Sequence, residues 1–171
     1  MARHTISVDC DGVLADGTYI PAWDRYPEVY DRLTPIVGAI DGLNALTADY
    51  NVYVVSGRSF PGALDVTREW LARHGAYLKQ LAGVVVRQPR RLKAELSAML
   101  GCELHIDDDP LVVQMAGCRG VWYESREWAG YTDLLGNVPI VRSWQDIPTF
   151  LSSYFAPRSM EQLLLPLSSA A

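Results

Sequence analysis

The sequence predicts an α/β fold: a three-layer, Rossmann-like parallel sheet with helices on both faces. Three observations predict it. Short apolar runs alternate along the chain with longer segments whose apolar residues recur at helical spacing. Strands separated by helical crossovers pair in parallel and take their helices on the two faces of the sheet. Several runs end in clusters of Asp, Ser and Gly, as in SVDCDG, VVSGR and HIDDDP, and the carboxyl ends of strands are where such sheets bind ligands. The length of 171 residues fits a single domain.

Taken in order, His4 to Cys10 reads as the first strand. Thr34-Pro35 has the form of a helix start. The helix it predicts, to about Asp49, would turn Ile36, Val37, Ile40, Leu43 and Leu46 to one face. Val52 to Val55 is the second strand. Pro61 to His74 reads as a helix with Leu64, Trp70 and Leu71 inward and Gly75 as its stop. Val84 to Val86 is the third strand. Leu92, Leu96, Met99 and Leu100 mark the apolar stripe of the next helix, which Gly101 ends. Glu103 to Ile106 is the fourth strand, and Asp109 caps a short helix from Pro110 through Met115. Gly120 to Trp122 and Pro139 to Val141 are further strands, and Ser143 with Asp146 three residues on predicts the capped start of a last helix. Residues 1–156 are expected to form the domain, with 15–34 a flap or short insertion, and 157–171 a weakly held tail.

Composition narrows the function. A formal charge of −5 argues against non-specific nucleic-acid binding over the whole surface, although a local basic groove stays open. The three cysteines, Cys10, Cys102 and Cys118, have no CxxC or Cys/His ligand spacing and read as reduced thiols of a cytoplasmic protein. The opening MARHTISVDCDG lacks the apolar stretch of a signal peptide. No run approaches the ~20 apolar residues of a membrane helix, so no membrane partner is expected.

The strand ends carry the chemistry. Residues two apart on a strand share a face, so Asp9 and Asp11 are expected to point the same way, with Cys10 opposite. Gly12 then allows a sharp turn. Ser56, Gly57 and Arg58 follow the second strand, Lys93 lies early in the helix after the third, and Asp107, Asp108 and Asp109 follow the fourth. Carboxylates gathered at one edge cannot all stay ionised without a counter-charge. Oxygen donors without a nearby Cys or His suit Mg²⁺. With one lysine and one hydroxyl added, the rim has the composition of a phosphoryl-transfer site.

These residues carry a family resemblance. Asp9-Cys10-Asp11-Gly12-Val13-Leu14, Ser56 in VVSGR, Lys93 in RRLKAEL and Asp107-Asp108 in HIDDDP resemble, in order, the four motifs of the haloacid dehalogenase superfamily of phosphohydrolases. The resemblance covers roughly residues 5–125. It implies that Asp9 is a nucleophile forming a phospho-aspartate and that Asp11 is the general acid and then base. It implies Mg²⁺ held by Asp9, the backbone carbonyl of Asp11, Asp107 and Asp108. Ser56, Gly57, Arg58 and Lys93 would bind the substrate phosphate. The superfamily's dehalogenase branch lacks the second aspartate, so Asp11 points to phosphate chemistry. Residues 15–34 suffice for a flap but not a sizeable cap domain, and an uncapped site favours a large substrate or closure by a second copy of the chain. Within the superfamily, VYVVSGR, the helix ending in WLARHG, RLKAEL and IDDDPLVVQMAGCRGVWY resemble the phosphatase domain of phage polynucleotide kinase/phosphatases. That implies nucleic-acid 3′-phosphate ends or nucleotides as substrates. The chain departs from the pattern in having Asp109 after the acidic pair, and it has no GxxxxGK[ST] loop for a kinase half.

Blander readings stand beside these. Asp-Gly and Ser-Gly mark ordinary turns. Lys93 alone reads as a solvated helix residue, with Arg90 or Arg91 as alternatives for its role. Arg58 reads equally as half of a surface salt bridge. Arg87, Arg90, Arg91 and Lys93 would track a phosphate backbone or simply face solvent at a helix start. Trp23, Tyr26 and Tyr30 would stack a base or pack the flap. His74 and His105 read as structural, with His105 alternating away from the acidic edge. Other functions remain in view: a phosphatase of small metabolites, a receiver-like domain that accepts a phosphoryl group and holds it, or an inactive binding module. A receiver lacks a counterpart of Asp11.

Overall fold

The computed structural model describes residues 3–17, 27–86, 90–125, 131 and 135–157, the side chains of Pro27, Arg90 and Arg91 excepted. Six parallel strands form one sheet: β1 (Thr5–Asp9), β2 (Asn51–Ser56), β3 (Gly83–Val86), β4 (Leu104–Asp107), β5 (Arg119–Tyr123) and β6 (Ile140–Val141). Their order is β3-β2-β1-β4-β5-β6. The chain winds outward from β1 through β2 to β3, then crosses β1 to begin again at β4. That reversal puts a topological switch point between β1 and β4, where open α/β sheets hold their ligands.

The helices are α1 (Pro27–Asp31), α2 (Ala39–Asp49), α3 (Ala63–Arg73), α4 (Arg90–Met99), α5 (Pro110–Met115) and α6 (Asp146–Tyr154). Right-handed crossovers place the connections before and after the reversal on opposite faces of the sheet. The two faces also separate in the strands. Ile6, Val8, Leu104 and Ile106 join Leu43, Trp70, Leu71, Ile147 and Leu151 in the main core. Ser7, Asp9, His105 and Asp107 alternate with them and face α4, which carries Lys93. A smaller cluster of Val113, Trp122 and Leu135 covers the α5 side. Among the described residues no helix is long and apolar enough to cross a membrane.

The helix expected from Thr34-Pro35 begins at Ala39. Pro35 instead bridges Ala15, and Gly38 at φ 77° delays the helix. Val37, expected inward, is 85% exposed for that reason. The next helix starts at Ala63 rather than Pro61, which leaves Leu64 exposed while Trp70 and Leu71 are buried. In α4 the buried side is Lys93, Ala94 and Ser97, and Met99 of the expected apolar stripe is exposed. Asp109 does cap α5, accepting from the Leu111 N–H at 3.0 Å. At α6 the helix begins at Asp146 and the cap residue is Gln145, without a side-chain bond; the Asp146 carboxylate accepts from the Arg142 N–H at 3.0 Å and is also hydrogen-bonded to Ser143, the pair the sequence predicted. The tail beyond 157, and Trp23, Tyr26 and Arg87, lie outside the described residues. Tyr30 packs, as the flap reading expects, against Phe60 with ring centroids 5.0 Å apart.

Candidate active site

β1 and β4 are hydrogen-bonded neighbours, and their ends bring Asp9 and Asp107 together. Asp9, Asp107 and Asp108 are buried, with one carboxylate oxygen of each lying within 4.8 Å of the other two. Lys93 reaches down from α4 between the first two. Its Nζ lies 2.7 Å from Asp9 Oδ2 and 2.8 Å from Asp107 Oδ2. A buried ammonium is tolerated only with such partners, so the reading of Lys93 as a solvated residue is corrected. Burial alone would lower the Lys93 pKa, but Asp107 and Asp9 outweigh it and raise it.

The same ammonium affects its two carboxylates differently. Burial and the charge of Asp107 hold the Asp9 carboxyl well above the usual range against the pull of Lys93. Burial also opposes ionisation of Asp107, but Lys93 and His105 prevail and hold it below the usual range. His105 Nε2 lies 2.8 Å from Asp107 Oδ2, and its Nδ1 lies 2.9 Å from the Ser7 hydroxyl. The Asp109 N–H donates to Asp107 Oδ1 at 2.9 Å. The expectation that His105 turns away from the acidic edge is therefore wrong. Residues 105 and 107 are two apart on one strand and share a face, a signal already present in HIDDD.

Asp11 does not join this cluster through its carboxylate. β1 ends at Asp9, and the chain turns: Leu14 and Ala15 N–H groups both donate to the Cys10 carbonyl at 2.8 Å. Strand alternation no longer applies at Asp11. Its carboxylate faces Arg58, whose Nη2 and Nε donate at 2.7 and 2.9 Å. Arg58 is buried rather than on the surface. Its Nη1 donates to Thr67 Oγ1 at 3.0 Å, and its guanidinium sits 4.8 Å from the centre of the Tyr30 ring. Neither Thr67 nor this stacking role of Tyr30 was visible in the sequence, because nothing local marks them. Ser56 is buried at the end of β2, its Oγ accepting from the Arg58 N–H at 3.3 Å across Gly57. Cys10 points into the core as expected, and burial pushes its thiol pKa far up. Cys10, Cys102 and Cys118 are all unbonded thiols.

Gly12 closes the turn at φ 89°, and a Cβ there would come within 2.0 Å of Asp108 Oδ2. Only glycine lets the β1 turn and the β4 end approach this closely. The Asp108 carbonyl is pinned from behind by Trp122 Nε1 at 2.7 Å.

No family model and no curated protein matches the chain. Solved structures do. A haloacid dehalogenase-like family hydrolase from Streptococcus pneumoniae superposes with a TM-score of 0.60 at 14% identity, covering 87% of this chain and 98% of that one. A 2-haloacid dehalogenase from Pseudomonas syringae gives 0.58 at 13% identity, over 90% and 100% of the two chains. A HAD-superfamily hydrolase of subfamily IA from Geobacter sulfurreducens gives 0.58 at 15% identity, over 87% and 100%. The chain has the haloacid dehalogenase-like fold. On this fold the carboxylates of Asp9, Asp107 and Asp108 meet at the carboxyl rim of the two central strands. At these identities the haloacid dehalogenase-like fold is shared without fixing the reaction.

Proposed function

We propose that the chain is a metal-dependent phosphomonoester hydrolase that works through a phospho-aspartate. The observation that carries this reading is the convergence of Asp9, Asp107 and Asp108 beside Lys93 at the rim. The donor set suits a hard divalent cation: all oxygen, with a nucleophile whose protonation is favoured by burial and by neighbouring negative charge. Asp9, Asp107, Asp108 and the Asp11 carbonyl would hold Mg²⁺. When bound it would neutralise charge on the phosphoryl oxygens and keep Asp9 ionised.

An Asp9 oxygen attacks phosphorus in line as the bond to the leaving alcohol breaks. Asp11, two residues on, gives its proton to the departing oxygen. Water then attacks the phospho-aspartate, Asp11 takes its proton, and the bond from phosphorus to Asp9 breaks to release inorganic phosphate. Lys93 and Ser56 hold the phosphoryl oxygens, with the Gly57 backbone beside them. Arg58 was expected on the phosphate; its contacts to Asp11 and Thr67 support a role in orienting the acid. Carbon–halogen hydrolysis, the activity named for the Pseudomonas structure, has no use for a proton donor at Asp11. The resemblance of VYVVSGR and its companion segments supports nucleic-acid 3′-phosphate ends or nucleotides as the substrate class.

The test is multiple-turnover release of phosphate from an aryl phosphate. Activity is expected with Mg²⁺, absent with excess chelator, and reduced at least ~10³-fold in Asp9→Asn. A single equivalent of phosphate taken up without turnover would point to a phospho-acceptor switch. Full activity in Asp9→Asn would end the phospho-aspartate reading.

A further inference from the structure

A cavity of about 410 Å³ opens next to the carboxylates, and nothing in the chemistry above uses it. Gly12 and Asp108 form one wall. Gly17 forms another, and a Cβ placed on it would lie 3.5 Å from the Asp11 Cβ. The space therefore begins at the acidic rim and runs past Gly17, whose backbone lies beside Asp11, which is where a leaving group would depart. We propose that this cavity is the leaving-group pocket and that it takes a neutral, hydroxyl-rich alcohol the size of one sugar or nucleoside. The inference rests on the phosphatase reading. It makes small monophosphates the substrates in preference to polynucleotide ends.

Charge argues against an anionic leaving group. Asp16, Asp108 and Glu124 line the cavity, and the one cation among its described lining residues, Arg142, has its Nε 2.6 Å from Glu124 Oε2. A second phosphate entering the cavity would meet these carboxylates well within a Debye length of about 8 Å. A polynucleotide end brings several such charges.

The polar groups point to hydroxyls. Ser125 Oγ, in the cavity lining, is closed off from solvent and has no hydrogen-bond partner among the described residues. An unmet buried hydroxyl is costly, and a ligand hydroxyl can meet it. Thr34 adds a second hydroxyl, while Ile36 and Tyr123 give an apolar surface for a ring face. The volume lies toward the small end of ligand cavities, which run from about 300 to 1,000 Å³.

The experiment compares kcat/KM with Mg²⁺ for an aryl phosphate, neutral sugar monophosphates, nucleoside 3′- and 5′-monophosphates, a sugar bisphosphate, and 3′-phosphorylated oligonucleotides. Sugar or nucleoside monophosphates are expected to lead, and the two arms separate sugar from nucleoside. Ser125→Ala is expected to lower kcat/KM for the leading monophosphate about tenfold, the worth of one hydrogen bond. Glu124→Gln is expected to raise the bisphosphate relative to the monophosphate, because it removes one carboxylate and frees Arg142. Thermal melting of both variants reports folding separately. Preference for the oligonucleotides, or unchanged substrate ratios in both folded variants, would overturn the pocket while leaving the phosphatase intact. Failure to hydrolyse any ester, the aryl phosphate included, would remove both.

Discussion

Asp9 sits in a place that resists negative charge. Its carboxyl is held well above the usual range by burial and by Asp107, with Lys93 opposing. The folded state thus keeps a proton that the unfolded chain releases in the ordinary carboxylate range. Stability should fall as pH rises through that interval. Asp107 has the opposite sign: its value is depressed, so its contribution is present above the ordinary range and lost only below it. Between mildly acid and neutral pH, Asp9 sets the slope. The melting temperature in chelator is expected to decline as pH rises above the ordinary carboxylate range, and Mg²⁺ or Asp9→Asn should largely abolish the decline. A flat profile in chelator would mean that Asp9 ionises without penalty. The residues of this site were legible as types in a sequence order; their partners were not. Lys93 reads as solvated until Asp9 and Asp107, on two other elements, are beside it. Arg58 reads as a surface residue until Thr67 and Tyr30 enclose it.

At the scale of elements, the strands were the more legible. Each is a short apolar run bounded by turn residues, and both signals are local. Helix starts failed where the chain had other work for the same residues. Pro35 bridges Ala15 beside the turn after β1 instead of opening α2, so the cap-then-proline pattern was real but served a different structure. The apolar stripe of α4 held only in part, with Leu92, Leu96 and Leu100 half-buried and Met99 exposed, because periodicity ranks a lysine as outward, whereas this helix turns its Lys93 side inward. Where the cap signal and the geometry coincide, at Asp109, the effect is measurable. Asp109→Ala is expected to cost about 1 kcal/mol in urea unfolding, with the loss confined to the α5 start in hydrogen exchange. An unchanged midpoint would show that the first turn of α5 is held by something other than its cap.

At the scale of the molecule, alternation of strands and helices was enough to give the sheet and its layers. The order in which the strands lie was not legible, because nothing local says that β4 returns beside β1. Long-range side-chain ties were equally invisible. Trp144, just after β6, donates from Nε1 to the Val13 carbonyl at 2.7 Å and so steadies the turn after β1. Trp144→Phe keeps the ring but loses that bond. It is expected to cost about 1 kcal/mol in thermal or urea unfolding, and a loss of activity larger than the loss of stability would trace the tie to the turn itself.

The return of β4 to the side of β1 also has a temporal meaning. Asp9, Lys93 and Asp107 come from stretches far apart in the chain, joined only when the fourth strand docks. A growing polypeptide therefore emerges with its proposed nucleophile in hand and no means of using it. The first motif to be synthesised is the last to be armed, and hydrolysis of a chromogenic ester would serve as a clock for completion of the sheet.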